Sequence, residues 1–146
     1  MRHEIECNWI DEMAFKVETD GHRLIIDANP EFGGQDRGPR PKPLLLASLA
    51  GCTGIDVISI LKKMRVNLEG LHIKVSASLT EEHPKIYDKI IVTYTFKGYN
   101  LPMEKLEKAV QLSEEKYCGV SAMLKKAGLI EYNIITEESE KEDHHA

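Results

Sequence analysis

The stretch LLLASLAGCTGIDVISIL, residues 44–61, decides the fold of this chain. It is almost continuously apolar and is followed by a cluster of basic residues, which suits the C-terminal turn of a helix. The pattern predicts one helix over residues 43–65. The run is close to the minimum length for a membrane span, but an aspartate at mid-bilayer is costly. Asp56 lies inside the run and therefore favours a buried helix in a soluble protein, with no membrane partner.

The composition favours one globular domain. The chain has 146 residues, of which 42% are hydrophobic, and no Pro/Gly/Ser-rich linker divides it. We expect a single domain over residues 1–138 and a charged, disordered tail over 139–146. The formal net charge of −5 argues against a nucleic-acid partner, because such proteins carry a basic surplus.

Strand patterns lie on both sides of the long helix. Period-two alternation predicts strands at 3–9, 13–18, 22–28, 71–82, 89–98 and 129–138. The first three form an antiparallel meander, and the next two form a long hairpin. Helical patterns over 101–117 and 119–128 precede the last strand. Grouped strands separated by helices indicate an α+β fold, with antiparallel sheets around a long apolar central helix.

That central helix is apolar on nearly every face, so every face needs cover. One small sheet covers one side only. Either the other helices or a second copy of the chain covers the rest, and the second possibility predicts an intimate homodimer.

Cys52 is the first candidate for chemistry. Free cysteine is often a small buried hydrophobe, so packing alone explains it well. Its mid-helix position gives it little help from the helix dipole, and Asp56 one turn away would raise a thiol pKa. Gly51 and Gly54 flank it, although glycine costs about 1 kcal/mol in a helix relative to alanine, which suggests a close approach there.

Cys118, in EKYCGVSAML, is the second candidate. It falls where the two C-terminal helices meet, so it is either a buried junction residue or a thiol activated by the field of the second helix. Cys7, on an early strand, is interpreted as structural. The three cysteines form neither a disulfide scaffold nor a zinc-binding pattern, and we expect reduced thiols in the cytoplasm, with no metal and no cofactor.

The remaining polar residues give weaker signals. Asp56 is buried by pattern and should have a partner, either a hydroxyl or a basic group. Arg37, Arg40 and Lys42 are basic residues that precede the long helix and could serve an anion, a substrate or a thiolate, although a solvated loop explains them equally simply. The neighbouring GGQDRG segment, residues 33–38, lacks the GK[ST] of a phosphate-binding loop.

The segments RPKPLLLASLAGCTGIDVISILKKMR, TEEHPKIYDKIIVTY and AVQLSEEKYCGVSAML, taken together, resemble the OsmC/Ohr family and its YhfA-type subgroup. The likeness covers residues 1–136. It implies an intertwined α+β homodimer with two sites at the interface, and reduction of organic hydroperoxides in oxidative stress defence. By this resemblance Cys52 is the peroxidatic thiol and Cys118 the resolving thiol, and a small or protein dithiol is the reductant.

The sequence departs from the family pattern at two positions. The resemblance implies an arginine before the DG turn, where this chain has Thr19, and a glutamate at the start of the cysteine helix, where it has Lys42–Pro43. Arg37, Arg40 and Lys42 are candidate replacements, with Asp56 as a further auxiliary group.

Two other functions fit the same residues. One is a catalytically weak or inactive relative that binds a small apolar ligand at the dimer interface, which predicts a deep apolar pocket. The other is a dimeric scaffold in which Cys52 is purely structural and another protein is the partner.

Overall fold

A computed structural model describes residues 1–140 of the chain. The described chain divides into two compact units, Met1–Leu46 and the residues from Ala47 onward, and each is described by itself. The single domain over 1–138 stays a prediction. Most of the expected tail, 141–146, lies outside the described residues. Its first residue, Ser139, is held in place, because its N–H donates to the Gly98 carbonyl over 2.8 Å.

The first unit contains the predicted antiparallel meander. Its strands are β1 (Glu6–Asp11), β2 (Ala14–Thr19) and β3 (His22–Ile26). Asp20 and Gly21 join β2 to β3 with φ angles of 50° and 77°, which suits a DG hairpin turn. β1 is exposed along its whole length, so Cys7 does not pack as a structural core residue here.

The glycine-rich loop after β3 is shaped by close backbone contacts. A Cβ atom on Gly34 would lie 1.7 Å from the Ala28 carbonyl oxygen, and one on Gly38 would lie 1.9 Å from that of Ile25. No side chain fits at either position. These glycines therefore have a packing reason.

The long helix α1 spans Pro43–Lys63, close to the predicted 43–65. Its buried residues recur every fourth position: Leu49, Thr53, Val57 and Leu61. The helix has the length and hydropathy that a membrane span requires, and 22% of its most apolar window is buried inside the described chain. The expectation of a buried helix is therefore met along one stripe only.

The second unit contains a mixed three-stranded sheet. β4 (Gly70–Leu79) and β5 (Tyr87–Gly98) form the predicted antiparallel hairpin. β6 (Leu129–Glu138) pairs with β5 in parallel, which differs from the expectation of antiparallel sheets throughout. The helices between β5 and β6 supply the long connection that parallel neighbours need.

Those helices are α2 (Met103–Leu112) and α3 (Gly119–Lys125), with a π-helical turn, Ser113–Tyr117, between them. The continuous helix predicted over 101–117 is therefore wrong in its last turn. The wider turn closes with the Cys118 N–H donating to the Ser113 carbonyl over 2.8 Å. Because a π turn holds one extra residue, Tyr117 is exposed and Cys118 is buried.

Candidate active site

Two cysteines and one carboxylate meet in the second unit. Cys52 and Asp56 lie one turn apart on α1, and Cys118 lies between the π turn and α3. The two sulfur atoms and a carboxylate oxygen of Asp56 all lie within 4.8 Å of one another. Cys52 and Asp56 are half-buried, whereas Cys118 is 3% exposed. The structure thus brings together three of the five residues singled out from the sequence.

Cys118 starts α3, as the sequence suggested, but its thiol is not activated. Its Sγ accepts a hydrogen bond from the Ser121 N–H over 3.3 Å, which favours the thiolate. Burial acts in the opposite direction and is stronger. Together with the neighbouring Cys52 thiol, it raises the pKa of Cys118 to about 12. Cys118 is therefore a protonated thiol at neutral pH.

Asp56 has the partner that its position predicts. The Ser113 hydroxyl, in the π turn, donates to Asp56 Oδ2 over 3.0 Å. The prediction of a partnered rather than a free carboxylate is confirmed, and the partner is a hydroxyl.

Ser113 belongs to a buried chain of polar groups. Thr53 Oγ1 lies 2.8 Å from Ser113 Oγ and 2.6 Å from the Tyr94 hydroxyl oxygen. The Tyr94 hydroxyl contacts Glu114 Oε1 over 2.9 Å. We call Asp56, Ser113, Thr53, Tyr94 and Glu114 the carboxyl chain, because a carboxyl group stands at each end.

The Glu114 end of the carboxyl chain is buried deeply. Glu114 is 4% exposed, and Oε2 accepts the Ser121 hydroxyl over 3.1 Å. The Lys125 ammonium donates to the main-chain oxygen of Glu114 over 2.7 Å, so it does not neutralise the carboxyl directly. Burial, opposed by the Thr53 hydrogen bond and reinforced by Glu114, raises the pKa of Tyr94 far above its usual range. Ser121 thus joins Glu114 to Cys118.

An open cavity lies beside Asp56. Its volume is about 370 Å³, within the range of small-molecule sites. The residues that line it come from α1, from the turn directly after α1, and from the end of α2 and the π turn: Asp56, Ser59, Ile60, Lys63, Met64, Leu112 and Tyr117. The wall is largely apolar, with a carboxylate and an ammonium group as its charged members.

The structure places Arg37 and Arg40 in the first unit, where carboxylates already hold both. Arg37 donates to Asp11 Oδ1 over 2.6 Å, and its Nε lies 3.7 Å from Asp27 Oδ2. The Asp11 hydrogen bond is the largest influence that raises the pKa of Arg37. Arg40 donates to Asp36 over 2.6 Å. Both arginines therefore have carboxylate partners within the first unit.

Asp27 organises the same loop and escaped the sequence analysis. Its buried carboxylate accepts the N–H groups of Ala28, Gln35 and Arg37 over 2.8 to 3.2 Å. Burial alone would raise the pKa of Asp27, but these N–H groups and the Arg37 guanidinium outweigh it and lower that pKa. The role of this carboxylate is therefore to fix the backbone of the loop.

Sequence reasoning also missed most of the carboxyl chain. Thr53 carries a hydroxyl and lies at the same four-residue spacing as the buried apolar residues of α1, and a buried hydroxyl needs a hydrogen-bond partner. Ser113 and Glu114 continue the spacing of the buried Leu106, Ala109 and Val110. Polar residues on the apolar stripe of a helix were the signal that could have identified them.

Two sulfurs and a carboxylate oxygen are donors that a soft cation accepts, but a structural zinc site takes four protein ligands and this cluster offers three among the described residues. We interpret the cluster as a thiol pair beside a carboxyl.

Comparison with known proteins points to one family. The family model described as OsmC-like protein matches residues 33–133. The chain is 34% identical over 125 residues to Protein YhfA of Escherichia coli strain K12, a match that covers 85% of this chain and 90% of the relative.

Solved structures agree with this fold. A hypothetical protein from Aquifex aeolicus VF5 superposes with a TM-score of 0.85 and 33% identity, over 96% of this chain and 99% of that one. An organic hydroperoxide resistance protein OsmC from Legionella pneumophila superposes with a TM-score of 0.69, over 92% of this chain and 97% of that one. Its 17% identity shows a shared fold only.

Proposed function

Because the chain belongs to the OsmC-like protein family, we propose that it is a cysteine-based organic hydroperoxide reductase that acts in oxidative stress defence. The observation that carries this proposal is the convergence of Cys52, Cys118 and Asp56 within 4.8 Å. Two thiols at this distance need only a small movement to reach the S–S length of about 2.05 Å.

The unequal burial of the two thiols supports the roles that we propose for them. Cys52 is half-buried one turn from Asp56, a residue that lines the cavity, so the Cys52 thiol is more accessible to a peroxide than the Cys118 thiol. Cys118 is buried and protonated, so it is unsuited to be the first nucleophile. Cys52 is thus the peroxidatic cysteine and Cys118 the resolving one.

The reaction consists of two steps. The Cys52 thiolate attacks the terminal oxygen of the hydroperoxide, an S–O bond forms as the O–O bond breaks, and the alkoxide takes a proton and leaves as an alcohol. Cys118 then attacks the Cys52 sulfenic acid, which gives a disulfide and water. A dithiol reductant, small or protein-bound, restores both thiols by exchange.

The apolar wall of the cavity beside Asp56 supports an organic substrate. Ile60, Met64 and Leu112 offer an alkyl or aryl group an apolar surface, which hydrogen peroxide cannot use. The same cavity is the observation that favours the second candidate, a catalytically weak protein that binds a small apolar ligand.

A cytoplasmic homodimer is part of the proposal. Ile55, on α1, is 74% exposed in the single chain, and only 22% of the most apolar window of this helix is buried within the described residues. A second copy is the partner that the family resemblance implies. Reduced thiols fit the cytoplasm, where glutathione and thioredoxin keep them so.

The test is peptide-mapping mass spectrometry after reduced protein receives one equivalent of cumene hydroperoxide. We expect a rapid Cys52–Cys118 disulfide in wild type and in Cys7→Ser, and none in Cys52→Ser. Thiols that stay intact in wild type over many minutes would refute the reductase and leave the ligand-binding function, which co-purification of an apolar compound would then support.

A further inference from the structure

The carboxyl chain has one hydrogen-bond contact more than its hydroxyl groups can supply with protons. Asp56, Ser113, Thr53, Tyr94 and Glu114 are joined in series by four contacts of 3.0, 2.8, 2.6 and 2.9 Å. Each contact needs one proton, and the three hydroxyl groups have one proton each.

If both carboxyls are ionised, Thr53 is the residue that lacks a proton for one of its contacts. Ser113 then donates to Asp56 and Tyr94 donates to Glu114, so Thr53 must fill two contacts with one proton. Two oxygen atoms would face each other at 2.6 or 2.8 Å with no hydrogen between them. Such a contact is repulsive, and burial excludes water that would relieve it, since Thr53, Ser113 and Tyr94 are all fully buried.

We propose that Asp56 and Glu114 share one additional proton through the three hydroxyls of the carboxyl chain, and that Asp56 uses it as a general acid beside Cys52. With the proton on Asp56, the hydroxyl of Ser113 points to Thr53, Thr53 to Tyr94 and Tyr94 to Glu114. With the proton on Glu114, all three hydroxyls point the other way. Rotation of the three hydroxyls thus switches Asp56 between acid and base.

The groups around the carboxyl chain agree with this proton count. The Cys52 and Cys118 thiols face Asp56, and Lys63 shares the cavity with it. Ser121 fills its own contact to Glu114 Oε2 with its own proton. Lys125 donates to the Glu114 main chain and not to its carboxyl. Among the described residues, none of these groups supplies the missing proton to the four contacts.

The second half of the proposal rests on the proposed function. Cys52 loses its thiol proton to solvent, and its thiolate attacks the peroxide, which is reduced as the sulfur is oxidised to the sulfenic acid. Asp56 gives the shared proton to the departing alkoxide. In the resolving step Asp56, now a carboxylate within 4.8 Å of both sulfurs, takes the Cys118 proton as that sulfur attacks, which restores the shared proton, and the departing hydroxide takes a proton from solvent and leaves as water.

Infrared spectroscopy tests the shared proton without any substrate. A protonated carboxyl has a C=O stretching band that carboxylates lack, and we expect this band in wild type at pH 7. Thr53→Val splits the carboxyl chain into two pairs, each with enough protons, so the band should vanish. Asp56→Asn and Glu114→Gln should also remove it, because an amide can donate to its neighbouring hydroxyl.

Thr93→Val is the matched control, because Thr93 lies on the opposite face of β5 from Tyr94 and is only half-buried. It should keep the band. Absence of the band from wild type, or its survival in Thr53→Val, overturns the shared proton. If Thr53→Val does not fold, the Asp56 and Glu114 variants decide in the same way.

Single-turnover kinetics then tests the role of Asp56. We expect Thr53→Val to form the Cys52–Cys118 disulfide at least about tenfold more slowly than Thr93→Val, since acid–base catalysis contributes about 10²–10⁴-fold. Equal rates would overturn this role.

The two experiments together separate the shared proton from the proposed function. A wild type that shows the band but does not react with peroxide would refute the reductase while supporting the shared proton. A wild type that reacts with peroxide but lacks the band would support the reductase and refute the shared proton.

Discussion

The Sγ atom of Cys118 accepts the Ser121 N–H over 3.3 Å at the start of α3, yet burial keeps this sulfur protonated. A helix start is usually an activating environment for a thiol. Here α3 has seven residues, and the low-dielectric surroundings outweigh its single donated hydrogen bond. The position of Cys118 at a helix start therefore does not make its thiol reactive, because burial away from solvent has the larger effect on its pKa.

The high Cys118 pKa predicts a loss of stability in alkali. The folded protein holds the Cys118 proton up to about pH 12, whereas an unfolded thiol releases it near 8.5. The stabilisation is complete below about pH 8.5 and is lost as the pH rises toward 12. Tyr94, whose pKa is also raised, adds a loss of the same sign above about pH 10.

Thermal unfolding of reduced protein between pH 8 and 11 measures this effect. The melting temperature should fall by several degrees in wild type and by less in Cys118→Ser, which has no ionisable group at this position. Cys7→Ser, at an exposed site, should follow wild type. Identical pH profiles for the Cys118 variant and wild type would contradict the prediction.

Tyr94→Phe should destabilise the second unit by about 1–3 kcal/mol, the range for a buried polar group that loses its partner. The change removes the contact to Glu114 and the contact to Thr53 while both partners stay buried. Urea denaturation provides the free energy of unfolding. Tyr99→Phe is the control, since Tyr99 is 40% exposed, and it should change stability by less than about 0.5 kcal/mol. A Tyr94 variant as stable as this control would contradict the prediction.

Asp27→Asn should loosen the loop after β3. An amide has one acceptor oxygen where the carboxylate has two, and three backbone N–H groups depend on it. Limited proteolysis should cut the variant within residues 33–40 several-fold faster than wild type. Asp36→Asn is the control, because Asp36 is exposed and holds only Arg40, and equal cleavage of the two variants would contradict the role of Asp27.

The same carboxylate should make this loop acid-sensitive. The lowered pKa of Asp27 means that its stabilising contribution is present above about pH 3.9 and is lost as the pH falls further, through the folded-state pKa. In wild type, cleavage of the loop by an acid-active protease should increase below about pH 4. In Asp27→Asn it should already be fast at pH 5 and should change little.

Much of the fold could be predicted because its patterns are local. Apolar length marks α1, period-two alternation marks β4 and β5, and the DG pair marks the turn between β2 and β3. The parallel pairing of β6 could not be read in this way, because alternation says which faces a strand presents but not which neighbour it joins. The π turn was missed for a related reason. A single inserted residue leaves the helical pattern before it unchanged.

The candidate site was predictable only in part. Cys52, Asp56 and Cys118 stood out because thiols and a carboxylate are rare inside apolar segments. Thr53, Tyr94 and Ser113 are ordinary residues in a sequence, and their importance comes from contacts between α1, β5 and the π turn. Arg37 and Arg40 were chosen for their charge, and the structure pairs that charge with Asp11, Asp27 and Asp36.

The exposed apolar surface of α1 predicts self-association that one charge can break. Ile55 is 74% exposed on a helix with little cover in the single chain, so the proposed second copy would bury it. Sedimentation velocity should show wild type as a dimer and Ile55→Lys as a monomer or a much weaker dimer, because a buried, unpaired lysine is strongly unfavourable. Met123→Lys is the matched control, since Met123 on α3 is a large apolar residue that is 66% exposed, and this variant should remain dimeric. A monomeric wild type would refute the homodimer, and a dimeric Ile55→Lys would place the interface away from this face of α1.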